Sequence, residues 1–319
     1  MSKYPQIDLS AVRRYSIQKR FSKVHRNALA RPHRVGGSFR DFIDSLSDIL
    51  IAHDFREFVD RIVAARRRNK PCIFMMGAHV IKVGLTPILV DLMENGIITC
   101  LGMNGAGIIH DTELALFGQT SEEVAEGLAD GSFGMALETG QFLNAAIRDA
   151  HEQKWGLGEA VGRKLVEAQA PGLEHSILAT AYRRDIPATV HVAVGTDIIH
   201  QHPDADGAAI GDASFRDFKI LAAHVAGIHD GGVVINFGSN VIMPEVFLKA
   251  LTVARNIHGT IKDFYTANFD MFHHYRPRVN VVQRPTLLGG KGYNFVGHHE
   301  IMLPLLAAAV KEKLAAENG

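Results

Sequence analysis

Apolar residues along this chain follow two rhythms. From "SFRDFIDSLSDILIAHDFREFVDRIVAARRR" (38–68) onward they recur at three- and four-residue spacing, the period of amphipathic helices that lay one face on a sheet. Short continuous apolar runs are set between such stretches: "PCIFMMG" (71–77), "IITCLG" (97–102), "ATVHVAVG" (188–195), "GGVVINFG" (231–238) and "IKDFYTANF" (261–269). The first two lead into the helix-like "TPILVDLMENG" and "HDTELALFG". Buried strands alternating with helical segments, with glycine at the strand ends, predict an α/β fold: a Rossmann-like, mostly parallel sheet of about six strands with helices on both faces. No repeat of constant period and no low-complexity tract interrupts the pattern.

In an open parallel sheet, ligands bind beyond the carboxyl ends of the strands. In this chain those places hold "GAHVIKVG" (77–84), "GMNGAGIIHD" (102–111), "GTDIIHQHPDADG" (195–207), "FGSNVIMPE" (237–245) and "ANFDMFHHY" (267–275), which concentrate Gly, Asn, Asp and His. The glycine-rich stretch at 102–111 suits close approach of backbone to a pyrophosphate at a helix start. It is not the G-x-G-x-x-G fingerprint, and a tight turn explains it equally well.

Composition narrows the function classes. Lys plus Arg and Asp plus Glu both total 34 in 319 residues, so no net charge draws the chain to nucleic acid or to a membrane surface. The opening "MSKYPQIDLSAVRRYS" lacks the apolar core of a secretory signal, and no apolar run reaches the roughly 20 residues of a membrane span; the expectation is a cytoplasmic protein. Cys72 and Cys100 lie inside strand-like runs, as buried thiols of a reducing compartment do. Residues 1–40 stand apart. Arg13, Arg14, Lys19, Arg20, Lys23, Arg26, Arg31 and Arg34 lie there among few large apolar residues, which predicts a basic N-terminal arm before one α/β domain at 41–319. The arm reads either as a solvated tail or as a strap over a neighbouring subunit or an anionic ligand.

Many of the 17 histidines fall in the converging loops. His200 and His202, with His110 and Asp111, are the residue types a catalytic Zn²⁺ takes, but their spacing matches no metal signature; hydrogen bonding and proton transfer in a polar pocket is the preferred role, and no metal ligand is assigned.

"NGAGIIHDTEL" after a strand, "RRDIPATVHVAVGTDIIHQH", "GGVVINFGSNVIMPEVFLKAL" and the closing "IMLPLLAAAV" together resemble the deoxyhypusine synthase family, collinearly over roughly residues 55 to 310. The resemblance implies an NAD-binding Rossmann-like fold and a homotetramer with sites between subunits, each covered by a neighbour's N-terminal segment. It also implies polyamine chemistry, in which an aminobutyl group passes through an imine on a lysine. The family's first loop falls on Gly77, Ala78, His79 and on Lys82, Val83, Gly84, keeping the last glycine. Its second falls on Asn104 to Asp111, keeping Gly105, Gly107 and Asp111 and losing both glutamates. A Gly-Asp with a following histidine, used near the substrate amine, matches Thr196, Asp197 and His202, with His200 as rival. After the fourth strand, where Gly238 and Ser239 form the bend, the imine lysine is replaced by Ile242 or Met243. Asn268 and Asp270 remain from a later acidic loop. An imine needs a primary amine, and neither Ile242 nor Met243 has one. Lys249, Lys82 and Lys291 are the substitutes to weigh, Lys291 first because "LGGKGYN" permits a tight loop.

The resemblance and the loops together lead to an expected NAD-binding transferase or oxidoreductase acting on a small amine or polyamine without the covalent lysine. Asp197, His200, His202 and Lys291 are the catalytic candidates. Gly77, His79, Gly84, Asn104, Gly105, Gly107, Asp111, Gly238, Ser239, Asn268 and Asp270 are the cofactor candidates. Two alternatives stay open: a metal-dependent hydrolase, and a non-catalytic nucleotide-binding oligomer.

Overall fold

The computed structural model describes residues 2–316. In chain order the elements are α1 (Phe39–Ser45), α2 (Leu50–Arg67), β1 (Cys72–Met76), α3 (His79–Lys82), α4 (Thr86–Glu94), β2 (Cys100–Asn104), α5 (Gly105–Phe117), α6 (Val124–Asp130), α7 (Leu137–Gln153), α8 (Leu157–Glu167), α9 (Ile177–Arg183), β3 (Ala188–His191), α10 (Gly207–Ala226), β4 (Val233–Phe237), α11 (Ile242–His258), β5 (Phe264–Asp270), α12 (Tyr275–Pro277), β6 (Gly290–Val296) and α13 (His299–Ala316). The six strands form one sheet in the order β3-β2-β1-β4-β5-β6, and every pairing is parallel.

The apolar runs are continuous because the strands are covered on both faces. Within β1, Phe74 and Met76 enter the core built with Phe58 of α2 and Leu89 of α4, while Ile73 and Met75 enter the opposite core with Leu221 of α10 and Phe247 of α11. Phe237, Phe269 and Phe295 stand in register on β4, β5 and β6 and stack with centroids 4.4 and 4.7 Å apart. Each such pair contributes about 0.5–1.5 kcal/mol beyond its burial. The sixth strand lies where the sequence suggested a glycine-rich loop. Its Gly-Lys-Gly opening masks an alternation in which Tyr293 and Phe295 are the buried members.

Two buried carboxylates tie elements together, one joining helices to the sheet and the other helix to helix. Asp217 on α10 accepts from the backbone N–H groups of Gly158 (3.0 Å) and Val190 (2.7 Å), joining α8 to β3; burial pushes its pKa up to about 8 against those bonds. Asp111 on α5 accepts from Ser176 Oγ (2.7 Å) and from the N–H groups of Ile177 (2.9 Å) and Leu178 (3.1 Å), so it caps α9.

The arm is held to the core by Arg31 N to Ser45 O (2.8 Å) and Asp48 N to Ala28 O (2.9 Å), and is otherwise almost wholly exposed. It carries more large apolar side chains than its basic character suggested: ten are exposed between Tyr4 and Val35, Ile7, Tyr15, Ile17 and Phe21 among them. They are spread along extended chain and short turns, so no helix gathers them onto one face. No helix among the described residues is long and apolar enough to cross a membrane.

Candidate functional site

The strand order reverses between β1 and β4, and an open α/β sheet offers its ligand crevice at that reversal. The two bends there touch. Gly77 N donates to Phe237 O at 3.0 Å, and a side chain on Gly77 would run into the Gly238 carbonyl. Gly238 turns at φ +63°, and α13 lays the His299 ring against it so closely that a Cβ would collide with the imidazole. His299 is 2% exposed, sits edge-on to His79 and to Phe237 at 5.6 Å each, and has no hydrogen-bond partner at either ring nitrogen. Burial lowers its pKa, with Asp270 opposing. Asp270 ends β5; Oδ1 accepts from Phe272 N at 3.3 Å, while its buried Oδ2 has no partner. Ser239 Oγ accepts from Met243 N at 3.1 Å and fastens the start of α11.

Behind the crevice runs an asparagine ladder. Asn236 Nδ2 donates to Asn268 Oδ1 (2.8 Å) and to Ser239 O (3.0 Å), and Asn268 Nδ2 donates to Asn294 Oδ1 (3.1 Å). Asn268 therefore shapes the bend from inside the sheet, with its amide used by neighbouring strands.

Beyond the ends of β2 and β3 lies a cavity of about 710 Å³, walled by α5, the start of α7, the loop after β3 and Lys82 of α3. Asp197 reaches into it. Its buried carboxylate is seated on Gly105, where any Cβ would overlap it. This is the positive end of a 13-residue helix, which favours an anion. Burial nevertheless pushes the Asp197 pKa up to about 6. Asp197 Oδ2 and His200 Nε2 stand 3.9 Å apart, both buried and both without a hydrogen-bond partner. His200 Nδ1 accepts from Gly195 N (3.1 Å) and Asp197 N (3.3 Å), which assigns the ring proton to Nε2, on the side of the carboxylate.

A second chain of polar groups lines the same cavity. Thr120 Oγ1 donates to Glu113 Oε2 (2.5 Å), so it accepts from His110 Nδ1 (2.7 Å); Thr139 Oγ1 donates to Glu113 Oε1 (2.9 Å). Burial and then the charge of Lys82 bring the His110 pKa down to about 4, which leaves a neutral ring of fixed tautomer.

Several residues singled out in the sequence are placed elsewhere. Asp111 caps α9 and does not face the glycine-rich bend. His202 bonds through Nε2 to Gly134 O (2.9 Å) and packs on Gly140, so of the two rival histidines it is His200 that stands beside Asp197. Gly107 accommodates the Met103 side chain, and Gly84, at φ +78°, turns the chain from α3 to α4. Asn104 ends β2 with its Oδ1 buried and unpartnered. Lys291 is the second residue of β6, at the amino end of that strand, paired with Asp54 (2.7 Å) and Glu57 (2.6 Å) of α2. Burial opposes its charge, but those bonds outweigh it and raise its pKa, the reverse of what a nucleophilic amine needs. Lys249 pairs with Glu245 on α11. Among the described residues no three His, Cys, Asp or Glu side chains are placed to hold one metal ion, and His110, Asp111, His200 and His202 do not converge.

No family model matches the sequence, and no curated protein matches it. Solved structures do. A LOR/SDH protein from Methanococcus maripaludis superposes with a TM-score of 0.51 at 17% identity, over 82% of this chain and 70% of that one. A deoxyhypusine synthase assignment from Entamoeba histolytica gives 0.51 at 12% identity, over 88% and 96%. AgrE, solved as a ternary complex with ornithine and NAD⁺, gives 0.52 at 14% identity, over 82% of this chain and 33% of AgrE. The likeness is one of fold. The deoxyhypusine synthase-like sheet expected from the sequence is the sheet observed.

His110 and His299 are among the loop histidines the sequence points to, but the burial of His299, the Glu113–Thr120–His110 chain and the role of Asp217 were not legible in it. Thr120 is an ordinary residue in a polar loop, and His299 is one of two adjacent histidines whose burial depends on where α13 starts. The weak signal available was the position of "GHHE" just beyond a buried alternation.

Proposed function

We propose that the chain is an NAD-using enzyme of small amines, holding the cofactor at the β1/β4 crevice and the amine in the β2/β3 cavity. The observation that carries this reading is a set of unpartnered polar atoms at one edge of the sheet. Of the fifteen buried side-chain nitrogen and oxygen atoms without a hydrogen-bond partner among the described residues, seven (Asn104 Oδ1, Asp197 Oδ2, His200 Nε2, Asn240 Oδ1, Asp270 Oδ2 and both nitrogens of His299) lie at the carboxyl edge of the sheet, and the other eight are spread through helices and strands. Each orphaned group costs about 1–3 kcal/mol, a cost that a polar ligand would remove. In support, one neighbour of the same fold was solved with ornithine and NAD⁺.

The residues fit a dinucleotide in a particular way. The start of α5 already holds the Asp197 carboxylate, so a pyrophosphate belongs at the Gly77 and Gly238–Ser239 bends, before the 17-residue α11. His79 and His299 would donate to it, and Asp270 would accept from a ribose hydroxyl. When bound, NAD supplies an acceptor for the hydride on the carbon next to the amine nitrogen. The protein's own part is to hold the ammonium at Asp197 and to take its proton there, a carboxylate with a pKa near 6 being poised for that transfer near neutral pH. His200 presents its Nε2 proton on the side of Asp197, with Nε2 3.9 Å from Oδ2 and not bonded to it.

No imine to the enzyme forms in this scheme. Met243 is fully buried and Ile242 is an alkyl side chain, Lys249 and Lys291 are committed to ion pairs, and Lys82, which lines the cavity without an ion pair among the described residues, is assigned here to binding, so it is the lysine on which a trapped adduct would be sought first. Borohydride added to the full chain with NAD and spermidine is expected to leave the protein mass unchanged; a mass increase matching a trapped adduct on any lysine contradicts the scheme. As the resemblance suggests, the arm of one copy covers the site of another, and residues 41–319 act as one unit.

A further inference from the structure

The cavity beside Asp197 has a feature that an amine-only ligand leaves unused. Lys82 projects into its wall from α3, and among the described residues it has no ion-pair or hydrogen-bond partner, yet its charge reaches His110. His110 is kept neutral by burial and by the charge of Lys82 itself, so Lys82 is the positive charge of that wall. Three glutamates also line the cavity: Glu113 has each oxygen taken by a threonine, Glu122 Oε1 accepts from Gly134 N at 3.0 Å, and Glu138 stands at the start of α7. At the other end, Asp197 keeps a buried oxygen free.

The two charges belong to different parts of the cavity wall. Asp197 sits on Gly105 at the start of α5; Lys82 reaches the wall from α3 and acts on His110, which lies five residues past Gly105, about 7.5 Å along the α5 axis. We infer that the cavity takes an amino acid, its ammonium at Asp197 and its carboxylate at Lys82, rather than a di- or polyamine. A dication of the same length would set an ammonium against Lys82, and like charges at short range reject a ligand as effectively as good contacts select one. Lysine is a compact point charge suited to a carboxylate. This inference rests on the functional reading above and names the substrate class for the same cavity.

The test compares two ligands of equal chain length, 5-aminopentanoate and 1,5-diaminopentane, by isothermal titration calorimetry on the full chain and on Lys82→Glu, with circular dichroism confirming that the variant is folded. The wild type is expected to bind the amino acid about tenfold or more tighter than the diamine, and Lys82→Glu to reverse the order. Equal or tighter binding of the diamine by the wild type, an unchanged ratio in Lys82→Glu, or no binding of either ligand overturns the inference. NADH binding, followed separately by its fluorescence, distinguishes the two levels. NADH bound without either ligand refutes the inference alone, whereas the amino-acid preference without NADH supports the inference and refutes the cofactor reading.

Discussion

His299 is a buried imidazole with no well-formed hydrogen bond, the Phe269 backbone being a polar neighbour, and a group of that kind is a cost in the free protein. Its place, wedged on Gly238 between His79 and Phe237, leaves no room for an extra Cβ on the bend but would accept a flat apolar ring. His299→Phe is therefore expected to hold or raise unfolding free energy by about 1 kcal/mol in urea, because the unpaired nitrogens are gone, while weakening NADH binding by about tenfold or more. A variant that loses about 2 kcal/mol and keeps its NADH affinity would make His299 a packing residue. The sequence shows polar residue types at the right ends of strands, so Asp197, Gly238 and Asp270 could be named from it. It does not show which way a side chain turns. Asp111 and His202 sit in the expected loops, but the nearest unpaired N–H or carbonyl belongs to α9 and to Gly134, and those bonds take them.

At the scale of elements, Asp217 joins α8, α10 and β3 through two backbone N–H bonds, and its folded pKa of about 8 lies above its ordinary value of 3.8. Between those values the folded chain binds a proton that the unfolded chain releases, so the contribution is favourable at low pH and is lost as pH rises toward about 8. Asp217→Asn keeps an oxygen for both N–H groups and cannot ionise. Its urea midpoint is expected to fall less than the wild type's between pH 5 and pH 8, and parallel midpoint curves would show that Asp217 is not the titrating group. The five apolar runs located β1 to β5, since a buried parallel strand needs a continuous apolar sequence; β6 was missed because its glycines and lysine come first. The arm offers the other test at this scale. Ten exposed large apolar side chains are more than a solvated tail accounts for, and they suit a second copy of the chain. A protein starting near Ser38 is expected to keep the melting transition of the core and to show a smaller mass by light scattering; the same oligomer size in both forms would make the arm a tail.

For the whole molecule, the strand order β3-β2-β1-β4-β5-β6 puts a reversal at the centre of the sheet and brings both proposed ligand regions to one edge, the crevice over β1 and β4 and the cavity over β2 and β3. The α/β alternation made that edge predictable; the division of labour along it was not, because the most glycine-rich bend, at 102–111, turned out to be filled by protein. Its glycines make room for Met243, for the Asp197 carboxylate and for Met103. The proposed cofactor site is therefore the plainer "FGSN" bend. Titration of the full chain with NADH, followed by nicotinamide fluorescence, tests that assignment most directly. Saturable binding of one NADH per chain is the predicted result, and no saturation up to about 1 mM would contradict it.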